Sequence, residues 1–145
     1  MLQEAWKLVA RRAHSRSEMR IKLHRKGFQG DDVEAALERL SVDGLLDDAD
    51  FALGRIRASR PTRSRLQLAA DLQRRGVGGP DARQALAELP TEHDLDAARA
   101  LIRRWPGLRT ELIGQRLARR GFDSVVVRRV LIDFQEANDR GPSRA

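Results

Sequence analysis

A six-residue motif occurs three times in this chain, and its repetition constrains the fold more than any other sequence feature. The motif reads LHRKGF at residues 23–28, LQRRGV at 72–77 and LARRGF at 117–122. Each copy has a leucine, two intervening residues, a Lys or Arg, a glycine and an apolar residue. The copies start about 45 to 49 residues apart, a period that is typical of helical repeat proteins.

Apolar residues recur at the same distances on both sides of the motif. They follow its last residue after five, nine and twelve positions, and another precedes its leucine by four. This is the spacing of amphipathic helices, so each unit is predicted to be a helix, a glycine break and a second helix. The apolar positions are Met19, Val33, Leu37 and Leu40, then Leu68, Ala82, Leu86 and Leu89, then Ile113, Val127, Leu131 and Phe134.

A third helix is predicted upstream of each copy, because apolar residues show helical spacing around Trp6, Phe51 and Leu101. The sequence therefore predicts an all-α fold, an elongated array of three tandem three-helix repeats with about nine short helices. The predicted repeats cover residues 1–45, 46–90 and 91–137. Residues 138–145 contain no apolar stripe and are predicted to be a disordered tail.

The motif glycines Gly27, Gly76 and Gly121 are predicted to end helices in the left-handed conformation, which glycine adopts at little cost. The basic residues before them would then lie in a last helical turn, where the helix dipole favours positive charge. The motif therefore has a structural explanation of its own, and function has to be argued from other features.

Acidic and hydroxyl residues mark several predicted helix starts. Asp47 and Asp48 precede the helix that contains Phe51 and are predicted to cap it. Thr91, with Asp94 three residues later, resembles a capping box. Helix capping also explains the acidic cluster around Asp47 more simply than a nuclease-type metal site.

Positive charge is concentrated in two parts of the chain, which has 28 basic and 21 acidic residues and a net charge of +7. No acidic residue lies between Asp50 and Asp71, and Glu18 is the only acidic residue between Lys7 and Lys26. Such segments fit a polyanion or an acidic protein partner, although charged helix faces are often simply solvated. The candidate partner-binding or DNA-binding residues are Arg16, Arg20, Arg25, Lys26, Arg55, Arg57, Arg60, Arg63, Arg65, Arg74, Arg75, Arg119 and Arg120.

Catalytic signals are weak. The histidines His14, His24 and His93 are far apart without metal-ligand spacing, cysteine is absent, and the glycines do not form a phosphate-binding loop. We therefore predict no enzymatic activity, no metal and no cofactor. The chain also lacks an apolar run long enough for a membrane span and the apolar core of a signal peptide, which favours a cytoplasmic location.

The segment SRSEMRIKLHRKGF at residues 15–28, followed by DVEAALERL and DGLLDDADFA, resembles the first half of RecX, a family of regulators of the RecA recombinase. Both halves of the pattern occur in the right order at close spacing, and the resemblance continues through the three repeats. The residues that carry it are Ser17, Glu18, Leu23, Lys26, Gly27 and Phe28, then Gly44, Leu45, Asp47, Asp48, Phe51 and Ala52. The structural motif further includes Gly76, Gly121 and Phe122.

The resemblance implies a non-enzymatic regulator that binds in the groove of the RecA filament on single-stranded DNA. It implies inhibition of the ATPase, strand-exchange and coprotease activities of RecA, weak direct binding to DNA, and no membrane association. We expect a monomer. The second repeat departs from the family pattern, because RPTRSRLQL at residues 60–68 replaces a turn that contains glycine and tyrosine, and Ala82 replaces a larger apolar residue.

Two other functions fit the sequence. The array could bind nucleic acid without sequence preference as its main function, with phosphates on the Arg55 to Arg65 segment. It could also be a scaffold for an unrelated acidic protein. The resemblance favours the RecA regulator over these two functions.

Overall fold

The computed structural model describes residues 1–141, and within this part of the chain it contains nine α-helices and no strand. The all-α prediction is confirmed. The helices are α1 (Leu2–Arg11), α2 (Arg16–Arg25), α3 (Gly30–Val42), α4 (Asp48–Arg57), α5 (Arg65–Arg74), α6 (Gly79–Ala87), α7 (His93–Ile102), α8 (Thr110–Arg119) and α9 (Ser124–Asp139).

The helices are grouped into two compact units. The first contains residues 1–58 and 69–88, and the second contains residues 59–68 and the chain from Leu89 onward. Helix α5 contributes its first turn to the second unit and the rest to the first. The units therefore do not coincide with the three predicted repeat boundaries, which stay a prediction about the periodicity of the sequence.

The core of the first unit is formed by the predicted apolar stripes of α2 and α3. Met19 and Leu23 from α2 pack with Val33, Leu37 and Leu40 from α3, and all five side chains are fully buried. Burial of a leucine-sized side chain contributes about 1.5 to 3 kcal/mol. The repeated spacing thus identifies the buried face of both helices.

The core of the second unit has the same construction. Ile113 and Leu117 from α8 are buried with Leu101 from α7 and Val130 from α9. The predicted stripe residues of α9 are only partly buried, since Val127, Leu131 and Phe134 lie against this cluster rather than inside it.

The repeated motif forms the same helix ending three times. The amide of the closing apolar residue donates to the carbonyl of the opening leucine, at 3.3 Å for Phe28 to Leu23, 3.0 Å for Val77 to Leu72 and 3.2 Å for Phe122 to Leu117. Between them, the glycines at 27, 76 and 121 have φ of 93°, 76° and 86°. This is the Schellman ending, which requires a left-handed residue and pairs an apolar side chain with the preceding turn. The prediction for the three glycines is confirmed.

The predicted helix caps have different outcomes. Asp47 caps α4, because its carboxylate accepts a hydrogen bond from the amide of Asp50 at 3.0 Å. The predicted capping box at Thr91 is wrong, because α7 begins at His93 after Glu92 and has no side-chain cap. Asp94 instead accepts from the amide of Arg65 at 2.8 Å.

The predicted disordered tail begins too early. Helix α9 continues to Asp139, so residues 138 and 139 are helical although they carry no apolar stripe. A helix that is anchored by packed apolar residues in its earlier turns can continue through polar residues at its end. Arg140 is the C-cap of α9, and residues 142–145 of the predicted tail lie outside the described residues.

The glycine endings of α5 and α8 each dock on the start of an earlier helix. Ser15, the N-cap of α2, donates its hydroxyl to the carbonyl of Arg75 at 2.5 Å. Ser64, just before α5, donates in the same way to the carbonyl of Arg120 at 3.2 Å. The first contact lies inside the first unit and the second inside the second unit. A helix ending and a helix start, each with unpaired backbone groups, thus satisfy one another through a serine.

An aspartate completes each of these two junctions. The carboxylate of Asp48 accepts from the amide of Arg16, the first residue of α2, at 2.8 Å. Asp94 makes the corresponding bond to Arg65, the first residue of α5. Each junction therefore joins a serine and an aspartate to one helix N-terminus, where negative charge is favoured by the helix dipole.

Two of the motif glycines are required for close packing as well as for their φ. A Cβ atom at Gly76 would overlap the side chain of Ser17, and one at Gly121 would lie 2.8 Å from Cδ2 of Leu66. A Cβ at Gly27 would meet nothing within 4 Å. The same motif thus has a neighbour at its second and third copies and open space at its first.

We predict that Gly76→Ala destabilises the protein more than Gly27→Ala does. Both variants place alanine in the left-handed region, which costs roughly 1 kcal/mol, and only Gly76→Ala adds an overlap with Ser17. Urea unfolding monitored by circular dichroism gives both free energies. Ser17→Gly in the Gly76→Ala background should recover part of the difference in a double-mutant cycle. Equal losses in the two single variants would contradict the packing argument.

Candidate functional site

Many of the basic residues that were predicted to bind a partner form ion pairs with carboxylates inside the first unit. Arg20 contacts Glu34 at 2.6 Å, and Arg16 lies 3.8 Å from Glu34 and 3.6 Å from Glu38. The hydrogen bond from Arg20 lowers the pKa of Glu34 below its ordinary value. These pairs join α2 to α3, so Arg16 and Arg20 have a structural role in the described chain.

Glu18 and Asp71 hold further candidate arginines. Arg75 lies 2.9 Å from Glu18 and 3.8 Å from Asp71, while Arg55 lies 2.8 Å from Asp71. Arg74 is also near Asp71, at 3.6 Å. Asp71 is buried, so its pairing with Arg55 links α4 to α5 at a site that is partly shielded from water. Two more candidates have internal partners, since Lys26 pairs with Glu4 and Arg65 donates to the carbonyls of Leu89 and Pro90.

Burial opposes the ionisation of Glu18, but the guanidinium groups of Arg75 and Arg12 outweigh it and lower the pKa of this carboxyl group. Glu18 lies in the first turn of α2, where its amide donates to the hydroxyl of Ser15 at 3.0 Å. The ionised carboxylate therefore stabilises the same junction that Ser15 forms with the carbonyl of Arg75.

Two of the three histidines have structural partners. His14 is buried, its Nδ1 lies 2.9 Å from the carbonyl of Arg12, and its Nε2 lies 2.8 Å from Nζ of Lys22. Burial, with the charges of Arg12 and Lys22, lowers the pKa of His14. The neutral ring then donates from Nδ1 and accepts from Lys22. Nε2 of His93 lies 2.8 Å from the carbonyl of Arg63.

The remaining predicted contact residues carry no ion pair in the described chain, and these are Arg25, Arg57, Arg60, Arg63, Arg119 and Arg120. Arg25, Arg57, Arg60 and Arg119 are exposed, and Arg63 is half-buried. Their charges are available to an external anion. In the first unit, Arg57 lines a groove of about 380 Å³ together with Arg12 and Arg55.

A second group of unpaired arginines includes only one residue that the sequence singled out, Arg120, and three that it did not, Arg103, Arg109 and Arg116. It surrounds Trp105 in the second unit, where the guanidinium groups of Arg116 and Arg120 lie 5.3 and 5.5 Å from the centre of the indole ring. Arg103 and Arg109 line the adjoining cleft with Trp105. The sequence contains a pattern that could have indicated this cluster: residues 101–121 include a tryptophan and several arginines but only one acidic residue, Glu111.

The residues of the structural motif lie in or against the apolar cores and at helix ends. Phe51 and Phe122 are buried, and Phe28 packs against the core of the first unit. Gly44 has φ of 73°, and the amide of Leu45 donates to the carbonyl of Leu40 at 2.8 Å. The segment around Gly44 thus repeats the helix ending of the three motifs at the end of α3.

Within residues 1–141, no helix has the length and apolar character needed to cross a membrane. The same residues contain no cluster of three or more histidine, aspartate or glutamate side chains that could hold a metal ion.

Comparison with known proteins gives one consistent family. Residues 2–40 match a family model described as the first three-helix domain of RecX. A regulatory protein RecX from Prosthecochloris aestuarii is 37% identical over 128 residues, which cover 83% of each chain. One from Xanthomonas oryzae is 43% identical over 56 residues, which cover 39% of this chain and 35% of the relative.

Solved structures agree at the level of the fold. The crystal structure of RecX from Lactobacillus salivarius matches with a TM-score of 0.79 and 17% sequence identity. The match covers 92% of this chain and 94% of the Lactobacillus chain. A second crystal structure of a regulatory protein RecX has a TM-score of 0.77 and 21% identity, and covers 89% and 70% of the two chains. The helices and their order define an all-α helical repeat protein. The chain belongs to the RecX family of regulatory proteins.

We predict that Glu18→Gln lowers stability at pH 7 and that the loss disappears in acid. Because the pKa of Glu18 is lower in the folded state than its ordinary value of 4.5, its ionised form contributes stability above pH 4.5. That contribution is lost as the pH falls through the folded pKa. The expected loss at pH 7 is about 1 kcal/mol. Urea unfolding of both proteins at pH 7 and pH 3.5 measures it.

Glu88→Gln is the control, because Glu88 is exposed and has no ion pair in the described part of the chain. It should differ little from the wild type at either pH. A Glu18→Gln deficit of equal size at pH 7 and pH 3.5 would show that packing, not charge, explains the role of Glu18.

Proposed function

We propose that this protein regulates RecA in the cytoplasm by binding to RecA filaments on single-stranded DNA. On this proposal it inhibits the ATPase, strand-exchange and coprotease activities of RecA and catalyses no reaction itself. The observation that carries the proposal is membership of the RecX family, whose matched members are regulatory proteins.

The charge distribution supports a polyanionic assembly as the target. Arg57 and Arg60 are exposed, lie in a segment without acidic residues, and have no ion pair within the described chain. Arginines that are not neutralised internally favour a surface of repeated negative charge, such as a protein filament on DNA. Several modest contacts along repeated helices add through effective concentration, so binding to a filament can exceed binding to either component alone.

We predict that the wild type slows ATP hydrolysis by RecA on single-stranded DNA at substoichiometric amounts. Arg57→Glu combined with Arg60→Glu should weaken this inhibition by about tenfold in the concentration required, because both charges are reversed without breaking an internal ion pair. A steady-state ATPase assay with RecA from the same organism measures the effect.

The matched control is Arg83→Glu combined with Arg128→Glu. It makes the same change in net charge, and both side chains are exposed and lack an ion pair in the described residues. The control should inhibit like the wild type, and circular dichroism should show equal helicity in all three proteins. Absence of inhibition by folded wild type would refute the proposed function, whereas full inhibition by the Arg57 and Arg60 variant would refute only the role of these two arginines.

A second candidate function is direct binding of nucleic acid without sequence preference. The arginines around Trp105 favour it, because aromatic residues among unpaired cations are typical of surfaces that bind nucleic acid. A scaffold that binds an unrelated acidic protein also fits the positive charge. The aromatic ring at the centre of the cluster gives no specific reason to prefer a scaffold over nucleic-acid binding.

We predict weak binding to single-stranded DNA that decreases steeply with salt. The logarithm of the association constant should fall with the logarithm of salt concentration with a slope of about 0.7 for each phosphate contact. Fluorescence anisotropy of labelled oligonucleotides of two unrelated sequences, between low and moderate salt, tests this. Sequence-specific binding that persists at high salt would contradict it.

A further inference from the structure

The loop between α7 and α8 borders a cleft of about 560 Å³ in the second unit. One part of its lining is apolar and includes Trp105, Leu108 and Phe134. The rim carries Arg103 and Arg109, which are both exposed. The volume lies within the range of roughly 300 to 1,000 Å³ that is usual for pockets that bind small organic groups.

The positive charge at this cleft is not balanced by the protein. Arg103, Arg109 and Arg116 form no ion pair in the described chain, whereas Arg99, one turn before the end of α7, pairs with Asp96 and Asp133. The guanidinium group of Arg116 instead lies over the indole ring of Trp105. Arg103 and Arg109 line one cleft whose lining contains no carboxylate, and a bound anion would reduce the repulsion between like charges there. The cleft therefore favours a negatively charged ligand.

The combination of lining and rim selects among anions. A flat apolar group fits against Trp105, Leu108 and Phe134, while an anionic group attached to it would reach Arg103 and Arg109. A nucleotide of a single strand has both parts, because its base is free to stack and its phosphate lies beside it. Duplex DNA keeps its bases stacked inside the helix, and an acidic peptide uses the arginines but not the flat apolar lining.

We propose that this cleft is a nucleotide subsite for single-stranded nucleic acid, with a base against Trp105 and the neighbouring phosphates on Arg103 and Arg109. The inference rests on the second candidate function, direct nucleic-acid binding, and names the site and the class of ligand. It places the contact on the loop between α7 and α8, outside the acid-free segment around Arg57 that the sequence indicated.

The fluorescence of Trp105 tests the subsite directly. The chain has two tryptophans, so Trp6→Phe leaves Trp105 as the sole indole, and Trp6 is exposed on α1. Oligothymidylate should quench this fluorescence in a saturable way with the same affinity that anisotropy gives. An equally long oligomer of abasic sites should bind roughly tenfold more weakly and should not quench, because it offers phosphates without bases.

Arg103→Ala combined with Arg109→Ala should weaken oligothymidylate binding by about tenfold and reduce its salt dependence by up to two phosphate contacts. Arg128→Ala combined with Arg83→Ala is the matched control, since both residues are exposed and do not line the cleft. The control should keep both the affinity and the quenching. Circular dichroism and thermal unfolding of each variant confirm that the fold is intact.

Two outcomes would overturn the subsite. Equal binding and equal quenching by abasic oligomer would show that no base enters the cleft. Stronger binding of polyglutamate than of oligothymidylate, lost in the Arg103 and Arg109 variant, would assign the cleft to an acidic protein segment.

The RecA ATPase assay separates these failures from the proposed function. A protein that inhibits RecA but shows no quenching by oligothymidylate retains the regulatory function and lacks the subsite. A protein that is quenched but does not inhibit RecA has the subsite and lacks the regulatory function.

Discussion

The structure depends on one repeated contact, in which the glycine-ended terminus of a motif helix is held by the start of the preceding motif helix. Ser15 and Ser64 each bind the carbonyl of the residue before the motif glycine. Free carbonyls at a helix end and free amides at a helix start are costly to bury unless each finds a partner. The motif is thus a connector, and its repetition lets similar short helices pack without a single large core.

The same contact determines which charges are available for binding. Glu18 and Asp71 surround the first junction and pair with Arg75 and Arg55, so these arginines stabilise the fold. Arginines farther from the junctions, such as Arg57 and Arg103, form no ion pair in the described chain and can bind an external anion. Net charge alone does not show this division, because it counts both groups equally.

The ends of the series differ from its interior. Gly27 ends α2 with nothing close to the position of its missing Cβ, and Arg109 occupies the place at α8 that serine occupies at α2 and α5. Arg109 makes no side-chain cap and lines the cleft beside Trp105. The position that joins helices in the first two copies of the motif helix thus carries a cation at the third copy. Loss of the structural role and presence of an unpaired charge coincide there.

The sequence by itself determined the all-α fold, the glycine endings and most of the buried faces, because helical spacing and the φ of glycine are local properties that each copy of the motif repeats. Tertiary structure alone decided the partner of Asp94, which the sequence assigned to the start of α7 and the fold places on the amide of Arg65. It also decided that Arg116 and Arg120 lie over Trp105, although they are 11 and 15 residues away. The physical reason is that a charge or a capping group acts over a few ångströms in space. Its partner is therefore fixed by how helices pack, not by their order in the chain.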